Sequence, residues 1–248
     1  MKKLFFTLLI PVLLTGLSHP AIAQFQNDEV YEYPEQKQMK LLNYRYHINL
    51  PDLNGFKTLK CDFHMHTVFS DGQVWPAMRV TEAWTDGLDA VALTDHIGPK
   101  HKRNKEISVN NHDQSFEIAF KRGKETGILV IKGGEITYKK PLGHINALFL
   151  KEIEKLAVED EMEAVEEAVR QGAYLILNHP GWPNDTSTLY PVHRELIAQK
   201  KLHGVEVFNG SESYPKALDW CDEYSLTYFS NTDLHFASAN SYREKLQR

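Results

Sequence analysis

Two cysteines in 248 residues, Cys61 and Cys221, are too few for a disulfide framework. Cys61 falls in a strand pattern and Cys221 in a helical one, so buried thiols are expected, although an exported chain would permit a bridge. Positive charge is also scarce. With 28 Lys and Arg against 33 Asp and Glu, the formal balance is −5, which argues against holding nucleic acid through the overall field. No internal repeat and no low-complexity tract is visible. The one long apolar run, Leu4 to Leu17, is broken by Pro11 and falls short of the roughly 20 residues that span a bilayer.

That run instead has the layout of a leader. Lys2 and Lys3 precede it, and Ala21-Ile22-Ala23 offers a small-residue cleavage site before Gln24. Residues 1–23 are therefore expected to be a signal peptide and the mature chain to be periplasmic or extracellular, without a transmembrane anchor. No cysteine lies near the cleavage site, so a lipoprotein is not expected. Residues 24–57 form a Tyr- and Gln-rich lead-in without a sustained period, expected to wrap the main domain. The residues left after cleavage at Ala23 are enough for one barrel-sized domain, expected over 58–248.

Seven strand candidates lie near 59–64, 90–95, 128–134, 145–150, 173–178, 204–208 and 227–232, with helical patterns between most of them. Pro76 suits the first turn of a helix carrying Met78, Val80 and Trp84 and stopping at Gly87. Glu159 to Gln171 places Met162, Val165 and Val169 at helical spacing and ends at Gly172. Its acidic run reads as a solvated face. Pro215 starts a further helix through Tyr224. This alternation points to a parallel α/β architecture.

The chemistry-bearing residues sit at the ends of these runs. In a strand, His64 and His66 project to one side, about 7 Å apart, while Met65 packs behind them. Asp233-Leu234-His235 repeats the geometry near the other end of the chain, and a barrel is the fold that brings first and last strands together. Val91 to His96 ends in Thr94-Asp95-His96, Ile128 to Ile131 leads through Gly133-Gly134 to Glu135, Gly143-His144 opens a strand, and Ala173 to Leu177 runs into Asn178-His179-Pro180. Polar residues at strand ends are how α/β barrels carry catalytic groups.

This ordered set resembles the PHP superfamily of metal-dependent phosphoesterases, in the form of an exported bacterial member. The resemblance implies a distorted (β/α)7 TIM-like barrel and a trinuclear centre. His64, His66, Glu135 and Asp233 match its first site. Glu135 bridges to a second with His144 and His179, and Asp71, His96 and His235 match the third. Taken alone, any one of these histidines reads equally as a polar cap on a strand, and His144 as a turn residue. Asp95 and Asn178 are expected to orient their neighbours rather than ligate. Glu206 can face the pocket or serve as a buried acid paired to a neighbour. Only 13 residues follow His235, so the chain is expected to be truncated or to lack a capping segment.

Histidine with carboxylate suits two or three Zn, Mn or Fe ions and disfavours calcium. The implied reaction is hydrolysis of a small phosphomonoester or nucleotide-type diester by a metal-activated hydroxide, with Asp233 counted among the catalytic residues. No stable nucleic-acid complex is expected. Lys100-His101-Lys102-Arg103, with Asn110, Asn111 and His112, follows the second strand and reads either as a phosphate clamp or as a solvated loop. In the first reading Lys102, Arg103 and His112 hold substrate, Arg103 also assists catalysis, and His101 or His112 protonates the leaving group. His193-Arg194 is a weaker candidate of the same kind, with Arg194 as the substrate contact. His47 and His203 read as structural. Two rivals remain. An amidohydrolase-like barrel also begins His-x-His but usually needs a carbamylated lysine, and Lys132 is poorly placed for one. A non-catalytic metal or carbohydrate-binding barrel would stack ligands on Trp75, Trp182 and Trp220.

Overall fold

Ala90-Val91-Ala92-Leu93 is buried at every residue, as a strand covered on both faces must be. It forms β2 in a computed structural model that describes residues 45–98, 111–184 and 186–238. The expected leader, the lead-in before Arg45, the clamp at 100–103 with Asn110, and the tail beyond Ser238 lie outside the described residues. The other strands are β1 (Cys61–Asp62), β3 (His96–Ile97), β4 (Leu129–Thr137), β5 (His144–Leu148), β6 (Tyr174–Leu177), β7 (Gly204–Asn209), β8 (Glu212–Ser213) and β9 (Thr227–Asn231). Five helices intervene: α1 (Pro76–Thr85), α2 (Asp113–Thr126), α3 (Glu161–Gln171), α4 (Pro191–Ala198) and α5 (Pro215–Tyr224).

The sheet runs β1-β2-β4-β5-β6-β7, with β9 beside β7 and β3 continuing the β2 register along β4. The result is a mixed α/β fold with a curled sheet. It is not parallel throughout. β5 pairs antiparallel with both β4 and β6, and a short hairpin rather than a helix joins β4 to β5. The edges at β1 and β9 are linked by one isolated parallel bridge, Met65 to Leu234, with His66 N–H donating to Leu234 O and Asp233 N–H to His64 O.

Period-two alternation divides the core. Val91, Leu93 and Val130 pack outward with Val80 and Ala83 of α1 and Ala119 of α2. Ala92 and Ile131 turn the other way, meeting Leu148 and Ile176 in a small inner cluster. The larger cluster joins Ile136, Ile145 and Leu175 to Val165 of α3, Leu196 of α4 and Ala217 of α5. Local signals agree with the expected helices. Proline opens α1, α4 and α5, Asp160 caps α3 by accepting from Met162 N–H and Glu163 N–H, and Gly172 ends it at φ 82°. Cys61 and Cys221 are free thiols, Cys221 buried. No helix among the described residues is long and apolar enough to cross a membrane.

Candidate metal centre

Parallel strands deliver their C-terminal ends to one side of the sheet, and the polar residues collect there. His64 and His66 follow β1, His96 opens β3, Glu135 lies near the end of β4, His179 follows β6, and Asp233 and His235 follow β9. His144 begins β5, yet joins them because β5 runs antiparallel and its first residue pairs with Thr137 at the end of β4. Two glycines make the close approaches possible. A Cβ on Gly72 would lie 2.6 Å from the His66 backbone, so only glycine lets the Ser70-Asp71-Gly72 loop fold onto that histidine. A Cβ on Gly134 would meet the Ile97 side chain at 2.2 Å, against the pairing of β3 with β4.

The ring nitrogens converge on carboxylates. His64 Nε2 and His66 Nε2 lie 3.2 Å apart, and Asp233 Oδ1 is 3.2 Å from the first and 3.0 Å from the second. Glu135 Oε1 is 3.3 Å from His64 Nε2, 3.2 Å from His144 Nδ1 and 3.4 Å from His179 Nε2. Asp71 spans His235 Nε2 at 3.2 Å and His96 Nε2 at 3.3 Å. All nine residues singled out by the sequence fall into overlapping groups of potential ligands: His66, Asp71, His96 and His235; His64, His179 and Asp233; His64, His66 and Glu135; His96, Glu135 and His144. The groups interleave through His64, His66, His96 and Glu135 rather than dividing into three separate sets.

Charge is concentrated and ionised. Burial alone would raise the Glu135 pKa, but His144 and His96 outweigh it and hold it well below the carboxylate range. Asp71 and Asp233 are likewise held low against burial, the first by His235 and His96, the second by His64 and His66. Burial and the neighbouring His96 push His66 down to about 4. Against burial, Glu135 and Asp71 lift His96 to about 10, and Glu206 and Asp233 lift His64. Two backbones are strained: His179 at φ 24° and Asp233 at φ 52° occupy the left-handed region disfavoured for side-chain-bearing residues.

Around the cluster, a further set of groups holds the ligands in place. Glu206 is fully buried and accepts from His64 Nδ1 at 2.8 Å, from His179 N–H, and from the amides of Asn209 and Asn231. It is therefore the buried paired acid of the two readings. Asn178 donates to Glu135 Oε1 at 2.7 Å. Asp95 accepts from Thr67, Ser70 and Ser115, pinning the loop that carries Asp71. Asn209, Asn231 and Ser115 carried no sequence signal, because isolated Asn and Ser residues are common and their partners lie far away in the chain.

Arg194 is not brought to the cluster. It is exposed on α4 and donates to the Tyr224 hydroxyl on α5, because its neighbour His193 takes the buried side of that helix and bonds Leu142 O at 2.7 Å. His112 is buried at the start of α2, its N–H donating to Glu154. Lys132 Nζ bonds Asp113 and Lys151 O, away from the ligands. His203 stacks on Tyr174 and accepts from Leu175 N–H. Trp182 lies beside the cluster, its ring 5.2 Å from that of His144 and 5.6 Å from that of His179.

A family model described as the PHP domain matches residues 62–231, which include every ligand candidate except Asp233 and His235. The chain belongs to the PHP family. This PHP chain is 29% identical over 194 residues to an uncharacterised protein of Methanocaldococcus jannaschii, covering 71% of this chain and 82% of that protein. A solved two-domain Bacteroides vulgatus protein, described as containing a predicted PHP-like metal-dependent phosphoesterase, is 43% identical, with a TM-score of 0.77 over 82% of this chain. The chain spans 60% of that protein's length. An amidohydrolase from Chromobacterium violaceum, solved with sulfate and no metal, is 17% identical, with a TM-score of 0.55 over 73% of this chain and 89% of its own, and shares the fold.

Proposed function

We propose that this chain hydrolyses phosphoesters of small molecules, using two or three divalent Zn, Mn or Fe ions held by His64, His66, Asp71, His96, Glu135, His144, His179, Asp233 and His235. The observation that carries the reading is Asp233 Oδ1. It is buried, has no hydrogen-bond partner among the described residues, and faces two imidazole nitrogens at 3.0 and 3.2 Å. A buried carboxylate oxygen left without a hydrogen-bond partner beside two ring nitrogens, themselves only 3.2 Å apart, is the donor set of a cation with mixed nitrogen and oxygen ligands. Such ions would supply Lewis acidity and neutralise phosphate charge.

The protein's own part is to hold the donors. Glu206 accepts the Nδ1 proton of His64, so that Nε2 is the nitrogen this ring would present to an ion. Asn178 orients Glu135, and Asp95 steadies the loop of Asp71. Lys102 and Arg103 would grip the phosphate, with His101 as proton donor to the leaving group. Further parts of the reading are closure of the seven main strands into a distorted (β/α)7 barrel, supported by the Met65–Leu234 bridge, and export after cleavage at Ala23. The substrate class is a small phosphomonoester or nucleotide-type diester.

The test is elemental analysis of purified protein beside hydrolysis of a phosphoester panel with Mn or Zn. Two or three ions per chain are expected, with activity lost on chelation and restored by re-addition. His64→Ala should remove at least one ion and most turnover while circular dichroism stays unchanged. Full activity in metal-free protein, or no hydrolysis with any of these ions, overturns the proposal.

A further inference from the structure

Beside His144 and His179 the surface opens into a cleft of about 900 Å³. Trp182 forms one wall and is half-exposed at 51%, a large apolar ring left open to solvent at the edge of the ligand cluster. Lys140 lies along the same cleft. Its Nζ is buried, has no hydrogen-bond partner among the described residues, and sits 5.9 Å from the Tyr190 ring centroid. His193, which also lines the cleft, cannot accept from it. Its Nδ1 already accepts from Tyr190 N–H and its Nε2 donates to Leu142 O.

An ammonium carries three donors and no acceptor, so holding it out of water without a partner is costly. An anion in the cleft would remove that cost, and the flexible four-carbon stem allows the amine to turn toward it. A half-exposed indole offers a stacking face for a flat ring. Glu159, Asp160 and Glu161 also line the cleft and would repel a longer polyanion, which limits the anionic ligand to a small one.

We propose that the strip from Trp182 to Lys140 is the leaving-group subsite, accepting a small phosphoester whose far end bears a flat ring and a second anionic group, carboxylate or phosphate. The position of the reacting phosphate rests on the phosphoesterase reading, whereas the binding itself does not. The matched probes are two non-hydrolysable compounds, 4-(carboxymethyl)benzylphosphonate and 4-methylbenzylphosphonate, titrated calorimetrically into the metal-loaded full chain. The carboxylate compound should bind about tenfold or more tightly, as a charge-assisted contact implies. Lys140→Met should bring the two to similar affinity without weakening the methyl compound, and Lys140→Arg should keep the preference. Trp182→Ala should weaken both.

Equal affinity in the parent, no binding of either compound, or an equal loss for both in Lys140→Met overturns the subsite. Hydrolysis of a phosphoester panel without discrimination between the phosphonates removes this inference and leaves the phosphoesterase reading standing. Discrimination without hydrolysis does the reverse.

Discussion

Glu206 shows how much one side chain can hold. Its two oxygens receive the His64 ring, the His179 backbone and two asparagine amides, joining the ends of β1, β6, β7 and β9. Periodicity along Gly204–Asn209 could not decide its role, because a buried acid facing a pocket and one paired to a histidine have the same alternation. The pairing depends on a residue 142 positions away. Glu206→Gln would present an amide donor to groups that all donate, leaving at least one unpaired and freeing the His64 ring to change tautomer. Metal affinity should fall about 10–100-fold, the usual effect of losing a partner behind a ligand. Competition with a calibrated chelator measures it, and an unchanged dissociation constant would show that Glu206 only fills space.

At the scale of elements, the helices marked by Pro76, Pro215 and Gly172 were legible because proline and glycine act locally. Helix α2 was not. Its buried face is built from Ser115, Ala119 and Gly123, small residues at helical spacing that leave hydrophobic periodicity weak. A Cβ on Gly123 would meet the Val130 side chain at 2.6 Å, so closeness to β4 rather than apolar bulk defines that face. The attachment of α4 depends on His193, whose bond to Leu142 O ties the helix to the hairpin before β5.

Burial lowers the His193 pKa, with the Lys140 charge adding to the effect, and the hydrogen bond from Tyr190 N–H requires an unprotonated Nδ1. Neutral His193 therefore stabilises the fold fully above the ordinary imidazole pKa. That contribution is lost as pH falls through the lowered native value. His193→Gln keeps a donor for Leu142 O but loses the titrating ring. At pH 7.5 it should be less stable by about 1 kcal/mol, and the gap should narrow toward pH 5. Thermal melts of both proteins across that range check this; a gap independent of pH would count against it.

For the whole molecule, the decisive contact is between the two ends of the domain. Arg79, fully buried on α1, donates to His66 O, Leu234 O and Phe236 O and pairs with Glu82 at 2.8 Å. One guanidinium thus binds the chain after β1 to the chain after β9 and sets the spacing of the two His- and Asp-bearing segments. Arg79→Met would leave buried carbonyls and a carboxylate without their donor, at a cost of about 3–5 kcal/mol. Urea unfolding at pH 7.5 measures the loss, and reduced metal content should accompany it. A variant with the parent's midpoint and metal content would show that the strand ends hold themselves.

What the sequence determined by itself was local or periodic: the strand runs, the capped helices, and the same-side placement of His64 with His66 and Asp233 with His235. Those features follow from backbone geometry within a few residues, and it was the ordered resemblance to the PHP superfamily that turned them into nine named ligand candidates. What tertiary structure decided was direction and partnership. The reversal of β5 could not be read from Gly143-His144 alone, because a strand's pattern is the same in either direction. Yet that reversal is what brings His144 to Glu135. Arg194 turned outward and Glu206 inward for a similar reason: a side chain's neighbours across the fold, hydrogen-bonded over tens or hundreds of residues, determine which of two chemically equal orientations lies lower in free energy.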